Sequence, residues 1–202
     1  MNNHFEMLNS FIIRYVEMSE AELTAFNQQC NIVEFSKGDI IMKAGNPQQN
    51  LYFINKGLIR NYIETDNGET KIYNFRTEGM QITGYAVYNY KDNLNALVNV
   101  QCIEDCTMVQ IPFSVIKFVI ENIKSGERLG RGMAEEHVVE MLNYIINRDS
   151  KSIIERYDLL EIEYPNIHQR VPQRMIASYL CITPVHLSNI KKSRKISMEQ
   201  SN

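Results

Sequence analysis

The sequence predicts an α+β fold: an antiparallel barrel or sandwich with helices before and after it, and a helix-turn-helix near the C-terminus. Three observations predict it. Between Ile32 and Pro112, short β-rich runs alternate with glycine-containing turn signals. From Pro112 onward, apolar residues return to helical spacing. The net charge of −3 is unevenly distributed along the chain. Residues 164–202 carry six Lys or Arg and one Glu, whereas residues 1–163 carry 15 Lys or Arg and 23 Asp or Glu.

The first 24 residues are predicted to be helical. Phe5, Leu8 and Ile12 recur at helical spacing and would share one apolar face. Ser19 and Glu22 match the Ser-x-x-Glu capping box, so a second short helix is expected to begin there.

The middle of the chain reads as short strands. LYFI, LIRNYIE and TKIYNF are rich in residues that pleated sheets favour. Turn signals such as Asn55-Lys56-Gly57 and Asp66-Asn67-Gly68 separate them. This texture, without a long helical pattern, indicates antiparallel sheet.

Helices follow the strands. VIKFVIENI predicts a short helix, and a longer one is expected over about 127–147. The longer helix carries a wide apolar stripe, for which two interpretations remain open: packing on its own barrel, or contact with a second copy of the chain. The second is slightly favoured, because a helix between two domains has two faces to cover. The predicted dimerisation residues are Leu129, Met133, Val138, Met141, Leu142 and Ile145.

A further helix is expected before Pro165, followed by the helix-turn-helix. Its first helix would bury Met175, Ile176 and Leu180, with the small Ala177 where the second helix passes. Cys181-Ile182-Thr183 is a tight connector. Thr183-Pro184 suits a helix start, because the hydroxyl can cap and the proline lacks an N–H that would have no partner there. Leu187 and Ile190 would face the first helix.

The second helix would then present a polar face to solvent, and its chemistry suits duplex DNA. Asn189 can pair with adenine, Val185 can pack on a thymine methyl, and His186 can reach a phosphate or a base edge. The basic residues, Arg194 and Lys195 among them, would meet phosphates, which explains why carboxylates are missing from 164–198. Basic helix ends can also be purely structural. The predicted DNA-binding residues are Gln173, Arg174, Thr183, Pro184, Val185, His186, Ser188, Asn189, Lys191 and Lys192.

These segments together resemble the cyclic-AMP receptor protein / fumarate-nitrate regulator (CRP/FNR) superfamily of bacterial transcription factors. IASYLCITPVHLSNIKK is similar to members that read IASYLGITPxxLSRIRK, and FSKGDIIMKAGNPQQNLYFINKGLIRNY resembles the opening strands of the family's β-roll. The resemblance implies a β-roll with N-terminal helices over 1–118, a connecting and dimerisation helix over 119–149, and a DNA-binding helix-turn-helix with little or no wing over 150–202.

The chain departs from the family's cyclic-nucleotide pattern. The phosphate-binding cassette has Glu after its glycine and, about eleven positions after that glycine, an Arg followed by a hydroxyl residue. Here Tyr85 follows Gly84, and Asn95-Ala96 stand at the Arg-hydroxyl position. Because an Asn cannot replace a bidentate Arg–phosphate contact, cyclic AMP is not expected to bind in the family's way. A pocket lined by Tyr73, Gly84, Tyr85, Tyr88, Asn95 and Ala96 would hold a different ligand or be empty. Core packing is the favoured role of its tyrosines.

The recognition helix also differs from the pattern that is common in the family. Where the family commonly has Arg, Glu and Arg, this chain has Pro184, Val185 and Asn189, so the family's operator cannot be carried over. Cys181 stands at a turn position usually held by Gly, where a positive φ would strain it.

The cysteines are interpreted as small buried hydrophobes. On one extended strand the Cα atoms of Cys102 and Cys106 would lie about 13 Å apart, too far for a disulfide. A turn at Glu104-Asp105 would bring them together, which leaves a redox pair open.

The leading hypothesis is a cytoplasmic homodimeric regulator that binds double-stranded DNA, with an unidentified small-molecule effector and RNA polymerase as further partners still open. The alternative is a ligand-binding or scaffold protein that has lost specific DNA binding. No catalytic constellation, metal-ligand spacing or cofactor motif is present, which argues against an enzyme. Neither a signal peptide nor a membrane span is expected.

Overall fold

The computed structural model describes residues 4–82 and 95–200, with side chains described up to residue 194. Its elements follow the predicted order, with helices on both sides of a run of strands. The first helices and strands are α1 (Glu6–Ile12), α2 (Glu20–Asn27), β1 (Asn31–Phe35), β2 (Ile40–Met42), β3 (Asn50–Lys56), β4 (Ile59–Glu64), β5 (Thr70–Arg76) and β6 (Gln81–Ile82). The rest are β7 (Asn99–Cys102), β8 (Cys106–Pro112), α3 (Phe113–Asn122), α4 (Glu127–Ser150), α5 (Ile153–Glu163), α6 (Ile167–Arg170), α7 (Gln173–Tyr179) and α8 (Pro184–Gln200).

The strands within residues 4–82 and 95–200 form two four-stranded sheets, with orders β1-β8-β3-β6 and β2-β7-β4-β5. In the first sheet β8 pairs antiparallel with both β1 and β3, so that Gln110 lies opposite Asn31 on one side and Tyr52 on the other. The predicted antiparallel architecture is confirmed.

Strand alternation divides the apolar side chains between two cores. Leu51 and Phe53 of β3 pack with α1, α2, α3 and the start of α4 in one cluster. Tyr52 and Ile54, which point to the opposite face, pack with residues from both sheets in a second cluster. Met108 of β8 is completely buried in that second cluster. The first sheet therefore has a helical layer on one face and the interior of the β-roll on the other.

The local signals at the helix starts behave as predicted. Ser19 Oγ accepts from the backbone N–H of Glu22 (3.3 Å), and the Glu22 carboxylate accepts from the Ser19 N–H (2.8 Å). The long helix was expected to end near residue 147, and it runs to Ser150. A second capping box, formed by Ser152 and Glu155, starts the next helix.

The chain divides into two compact units, one of residues 1–61 and 75–140 and the other of residues 62–74 and 141–202. The second unit thus combines the tip of the β4–β5 hairpin with the C-terminal helices. The three-part division at 118 and 149 stays a prediction.

Three of the four cysteines are buried, as predicted, whereas Cys181 is exposed. The interpretation of all four as buried hydrophobes is therefore wrong for Cys181. Within the described part of the chain, no helix is long and apolar enough to cross a membrane.

Candidate nucleic-acid interface

The candidate interface is built on α7 and α8, and the connection between them is tight. Cys181 adopts φ +56°, the left-handed conformation expected of a residue in place of glycine. The Ile182 N–H donates to the carbonyl of Ala177 (2.9 Å), which closes the turn. Thr183 Oγ1 accepts from the His186 N–H (3.2 Å), and Pro184 is the first residue of the helix. The predicted cap and helix start are confirmed.

The two helices pack through the residues that the sequence predicted. Ile176, Ala177 and Leu180 of the first helix are buried, whereas Met175 is only half-buried. So are Leu187 and Ile190 of the second. This packing fixes which side of α8 faces solvent.

The solvent-facing side carries the predicted DNA-binding residues. Val185 is 71% exposed although it is apolar. An exposed β-branched side chain beside polar neighbours gains nothing in the free protein, but it suits contact with a thymine methyl. Exposed with it are Gln173, Arg174, Thr183, Pro184, His186, Asn189 and Lys192, whereas Ser188 and Lys191 are half-buried.

Arg194, which was expected to meet phosphates, is engaged inside the protein. Its guanidinium lies 2.7 Å from Asp158 Oδ1 and 2.8 Å from Glu161 Oε2, and it stacks over the ring of Tyr157. That prediction is therefore wrong, because α5 supplies the carboxylates that the basic segment lacks. The side chain of Lys195 lies outside the described residues.

His168 completes this cluster. Its Nε2 lies 2.8 Å from Glu161 Oε1, and its ring stacks on Tyr157. Burial, followed by the nearby charge of Lys191, holds the pKa of His168 below its ordinary value. Burial would raise the pKa of Glu161, but hydrogen bonds from Arg194 and His168 outweigh it and hold that pKa below its usual range. The cluster ties α5 to α8 and so fixes the orientation of α8 relative to α5.

Sequence comparison identifies a known domain family in the β-strand region. Residues 32–122 match the family model described as "Cyclic nucleotide-binding domain". The curated protein named "Anaerobic regulatory protein" from Pasteurella multocida (strain Pm70) is 30% identical over 103 residues, which are 49% of this chain and 35% of that protein. The chain therefore matches only about a third of that relative's length.

The resemblance of this chain to the CRP/FNR superfamily is therefore confirmed. Solved structures agree on the fold. FixK2 from Bradyrhizobium japonicum superposes with a TM-score of 0.72 at 15% identity, covering 83% of this chain and 85% of that one. A protein from Eubacterium rectale described as a regulator of the crp/fnr family gives 0.70 at 14% identity, covering 97% and 89%. The fold class predicted from the sequence is thus confirmed.

The connecting helix uses its apolar stripe in two ways. Leu129 and Met133 are each 1% exposed and pack in the core with α1 and the first sheet. The prediction that these two contact a second copy is wrong, because their side chains have almost no free surface. Beyond them the stripe is exposed, at Val138, Met141, Leu142 and Ile145.

The described residues at the cassette position do not fit a cyclic phosphate. Asn95 is exposed and forms an isolated β-bridge with Pro47. Ala96 is buried, and its N–H donates to the carbonyl of Asn46 (2.8 Å). Neither residue has a cationic side chain for a phosphate. Tyr73 is half-buried in the other compact unit, and Gly84, Tyr85 and Tyr88 lie outside the described residues.

Sequence reasoning missed Ser178, which joins α7 to the β4–β5 hairpin. Its hydroxyl donates to the carbonyl of Thr70 (2.9 Å) and accepts from the N–H of Ile72 (3.1 Å). These bonds satisfy backbone groups of β5, which is the last strand of its sheet. A serine directly after the apolar residues Met175, Ile176 and Ala177 is the signal that the sequence offers, and it does not identify the hydrogen-bond partner.

Proposed function

We propose that this chain is a DNA-binding transcription regulator that acts as a homodimer, with α8 as its recognition helix. The single observation that carries the proposal is the outward face of α8. Leu187 and Ile190 are buried against the first helix, while Val185, His186 and Asn189 are left exposed. Burial of the apolar pair leaves those three free to contact base edges.

Charge supports the same reading. Arg174 and Lys192 are exposed, and the segment from 164 to 198 contains no Asp or Glu. A surface without carboxylates can approach the phosphate backbone without repulsion, and its cations release counterions on binding. A helix exposed for another purpose has no need of this bias.

A second copy would bind along the exposed part of the α4 stripe. The four exposed members of the predicted dimerisation set, led by Leu142, would bury their apolar surface there. Two recognition helices related by two-fold symmetry would then enter successive major grooves, about 34–36 Å apart, on a pseudo-palindromic site. Such a regulator would act in the cytoplasm, where the DNA is, and RNA polymerase would be a further partner.

The effector of the proposed regulator is not cyclic AMP. Asn95 and Ala96 offer the phosphate no charge partner. The second sheet and the interior of the roll are nevertheless retained, which leaves the domain available to another effector.

The alternative is a protein of the same architecture that has lost specific DNA binding. Pro184, Val185 and Asn189 differ from the Arg, Glu and Arg that the family commonly uses to read bases. One experiment separates the two functions.

The experiment is a selection of the purified protein against random duplex DNA at about physiological salt. We expect an enriched palindrome, and Asn189→Ala should weaken binding to it by about 1–3 kcal/mol because a bidentate base contact is lost. Gln28→Ala is the matched control, since Gln28 is an exposed carboxamide in the unit that holds the β-roll. Weak binding that depends on salt but not on sequence would instead support the alternative.

A further inference from the structure

A short turn in the β-roll brings two cysteines together. Cys102 is the last residue of β7 and Cys106 is the first of β8, with only three residues between them. Both are 2% exposed and belong to the buried cluster inside the roll. The chain bends at 103–104 and its two strands belong to different sheets, so the separation expected along one extended strand does not apply.

The Leu58 carbonyl accepts from the Ile103 N–H (2.8 Å) and lies 3.8 Å from Cys106 Sγ, which places the two thiols close enough to influence each other's ionisation. Cys106 Sγ also lies 3.2 Å from the carbonyl of Glu104. A Cβ at Gly57 would lie 2.5 Å from this sulfur, so the absence of a side chain at Gly57 makes room for it.

The backbone around the turn is fixed from two sides. The Lys37 N–H donates to the Asp105 carboxylate (2.8 Å), and the Ile103 N–H donates to the Leu58 carbonyl (2.8 Å). The sulfurs are therefore held together by the fold and do not depend on a chance encounter for contact.

The interaction between the two thiols makes the two sulfurs chemically unequal. The hydrogen bond from Cys102 lowers the pKa of the Cys106 thiol, although burial opposes the shift. The same hydrogen bond, together with burial, raises the pKa of Cys102. Gly57 leaves room beside the Cys106 sulfur, and the lowered pKa favours its thiolate, so Cys106 is assigned as the attacking sulfur.

We propose that Cys102 and Cys106 form a dithiol site that a hydroperoxide oxidises to a reversible intramolecular disulfide. With hydrogen peroxide, the Cys106 thiolate attacks one oxygen and the O–O bond breaks. The departing hydroxide takes up a proton and becomes water, which leaves a sulfenic acid on Cys106. The Cys102 sulfur then attacks the Cys106 sulfur, the S–O bond breaks, and the Cys102 proton leaves with the hydroxyl group as a second water. Two thiols are oxidised and one peroxide is reduced.

The other two cysteines provide internal controls. Cys30 is buried, with its sulfur 3.3 Å from the carbonyl of Phe26, and it belongs to the other core cluster. Cys181 is exposed, in the turn before α8. Trypsin separates all three sites, because Lys91 and Lys117 bound a single peptide that contains both Cys102 and Cys106.

The test is peptide mapping of the full-length, reduced protein after brief treatment with hydrogen peroxide, followed by alkylation in denaturant. We expect the 92–117 peptide to lose the mass of two hydrogen atoms and to take up no alkyl group. Dithiothreitol should restore two alkylation sites, and the Cys30 peptide should stay fully alkylated. The proposal is overturned if Cys181 is oxidised while both cysteines of the 92–117 peptide are still alkylated.

Variants test the assigned roles. Cys102→Ser should leave a sulfenic acid on Cys106 that dimedone traps, whereas Cys106→Ser should leave Cys102 unmodified. Cys30→Ser is the control and should still form the bridge. Equal trapping in the first two variants would contradict the roles, and the mapping of the unsubstituted protein decides the site even if a variant does not fold. None of these readouts depends on DNA binding, so their outcome is separate from that of the proposed function.

Discussion

Gly57 shows how one residue can be required for two physical reasons. Its φ is +111°, in the region that favours glycine, and a Cβ there would also lie 2.9 Å from the Asp105 carbonyl oxygen. The turn signal Asn55-Lys56-Gly57 predicted the first reason. The second reason, the close contact with Asp105, depends on a part of the chain about fifty residues later. No local sequence pattern predicts that contact.

We predict that Gly57→Ala lowers the free energy of unfolding by about 2–4 kcal/mol, because backbone strain and overpacking add. Gly45→Ala is the matched control: its φ is +84°, and nothing lies within 4 Å of the added Cβ. The control should lose only about 1–2 kcal/mol. Chemical denaturation measures both, and equal losses would show that the contact with Cys106 costs nothing.

Two basic residues two positions apart on α8 have different environments. Lys192 is exposed, whereas Arg194 pairs with Asp158 and Glu161. We predict that Lys192→Ala reduces the salt dependence of DNA affinity by about one unit of log-log slope and leaves stability almost unchanged.

Arg194→Ala should do the reverse. It removes the guanidinium from Asp158 and Glu161, of which Glu161 keeps His168 as a partner. The free energy of unfolding should therefore fall by about 1–3 kcal/mol, while the salt slope of the folded protein stays the same. Denaturation curves and binding titrations at several salt concentrations distinguish the two variants. A smaller salt slope for Arg194→Ala would mean that its guanidinium leaves the α5 carboxylates for a phosphate.

At the scale of elements, the connecting helix shows why an apolar stripe does not identify its partner. The same spacing places Leu129 in the core of the β-roll unit and leaves Leu142 half exposed. Leu129 is covered by core side chains and Leu142 is not, although both lie on the same stripe. Helical periodicity alone does not reveal where the covering side chains end.

We predict that Leu142→Glu converts the protein to a monomer, because association would bury an unpaired carboxylate. Ile162→Glu on α5 is the control, since Ile162 is 74% exposed and lies outside the stripe. Light scattering over a range of concentrations gives the mass of each. If the unsubstituted protein is already a monomer, or if both variants remain dimers, the second copy does not bind along this stripe.

Local sequence signals predicted the starts of helices correctly. The contacts that they did not predict join residues far apart in the sequence. The cap at Ser19 and the start at Thr183-Pro184 need only neighbouring residues, so sequence was sufficient for them. Arg194 was assigned wrongly because its carboxylate partners lie on another helix, more than thirty residues earlier. Ser178 was missed because its partners are backbone atoms of a β-hairpin.

At the scale of the whole molecule, acid sensitivity comes in part from Glu140. Burial opposes ionisation, but hydrogen bonds from His137 and from Arg76, the latter at 2.6 and 2.7 Å, hold the pKa of Glu140 at about 2, below its ordinary 4.5. The unfolded chain therefore takes up this proton first as the pH falls, and the stabilisation from the ion pair is present above pH 4.5 and lost between 4.5 and 2.

We predict that Glu140→Gln flattens the dependence of stability on pH in that window. Urea denaturation at a series of pH values measures it, with the unsubstituted protein in parallel. A curve that is unchanged in slope would show that Glu140 carries no such linkage.

We infer that a homodimer reads DNA with two copies of α8. A footprint of the major groove on the selected duplex measures whether both copies bind there. We predict two protected patches on one face of the duplex, with centres about 34–36 Å apart, both absent with Asn189→Ala at the same protein concentration. Saturating binding without major-groove protection, or with protection that Asn189→Ala leaves intact, would contradict the claim.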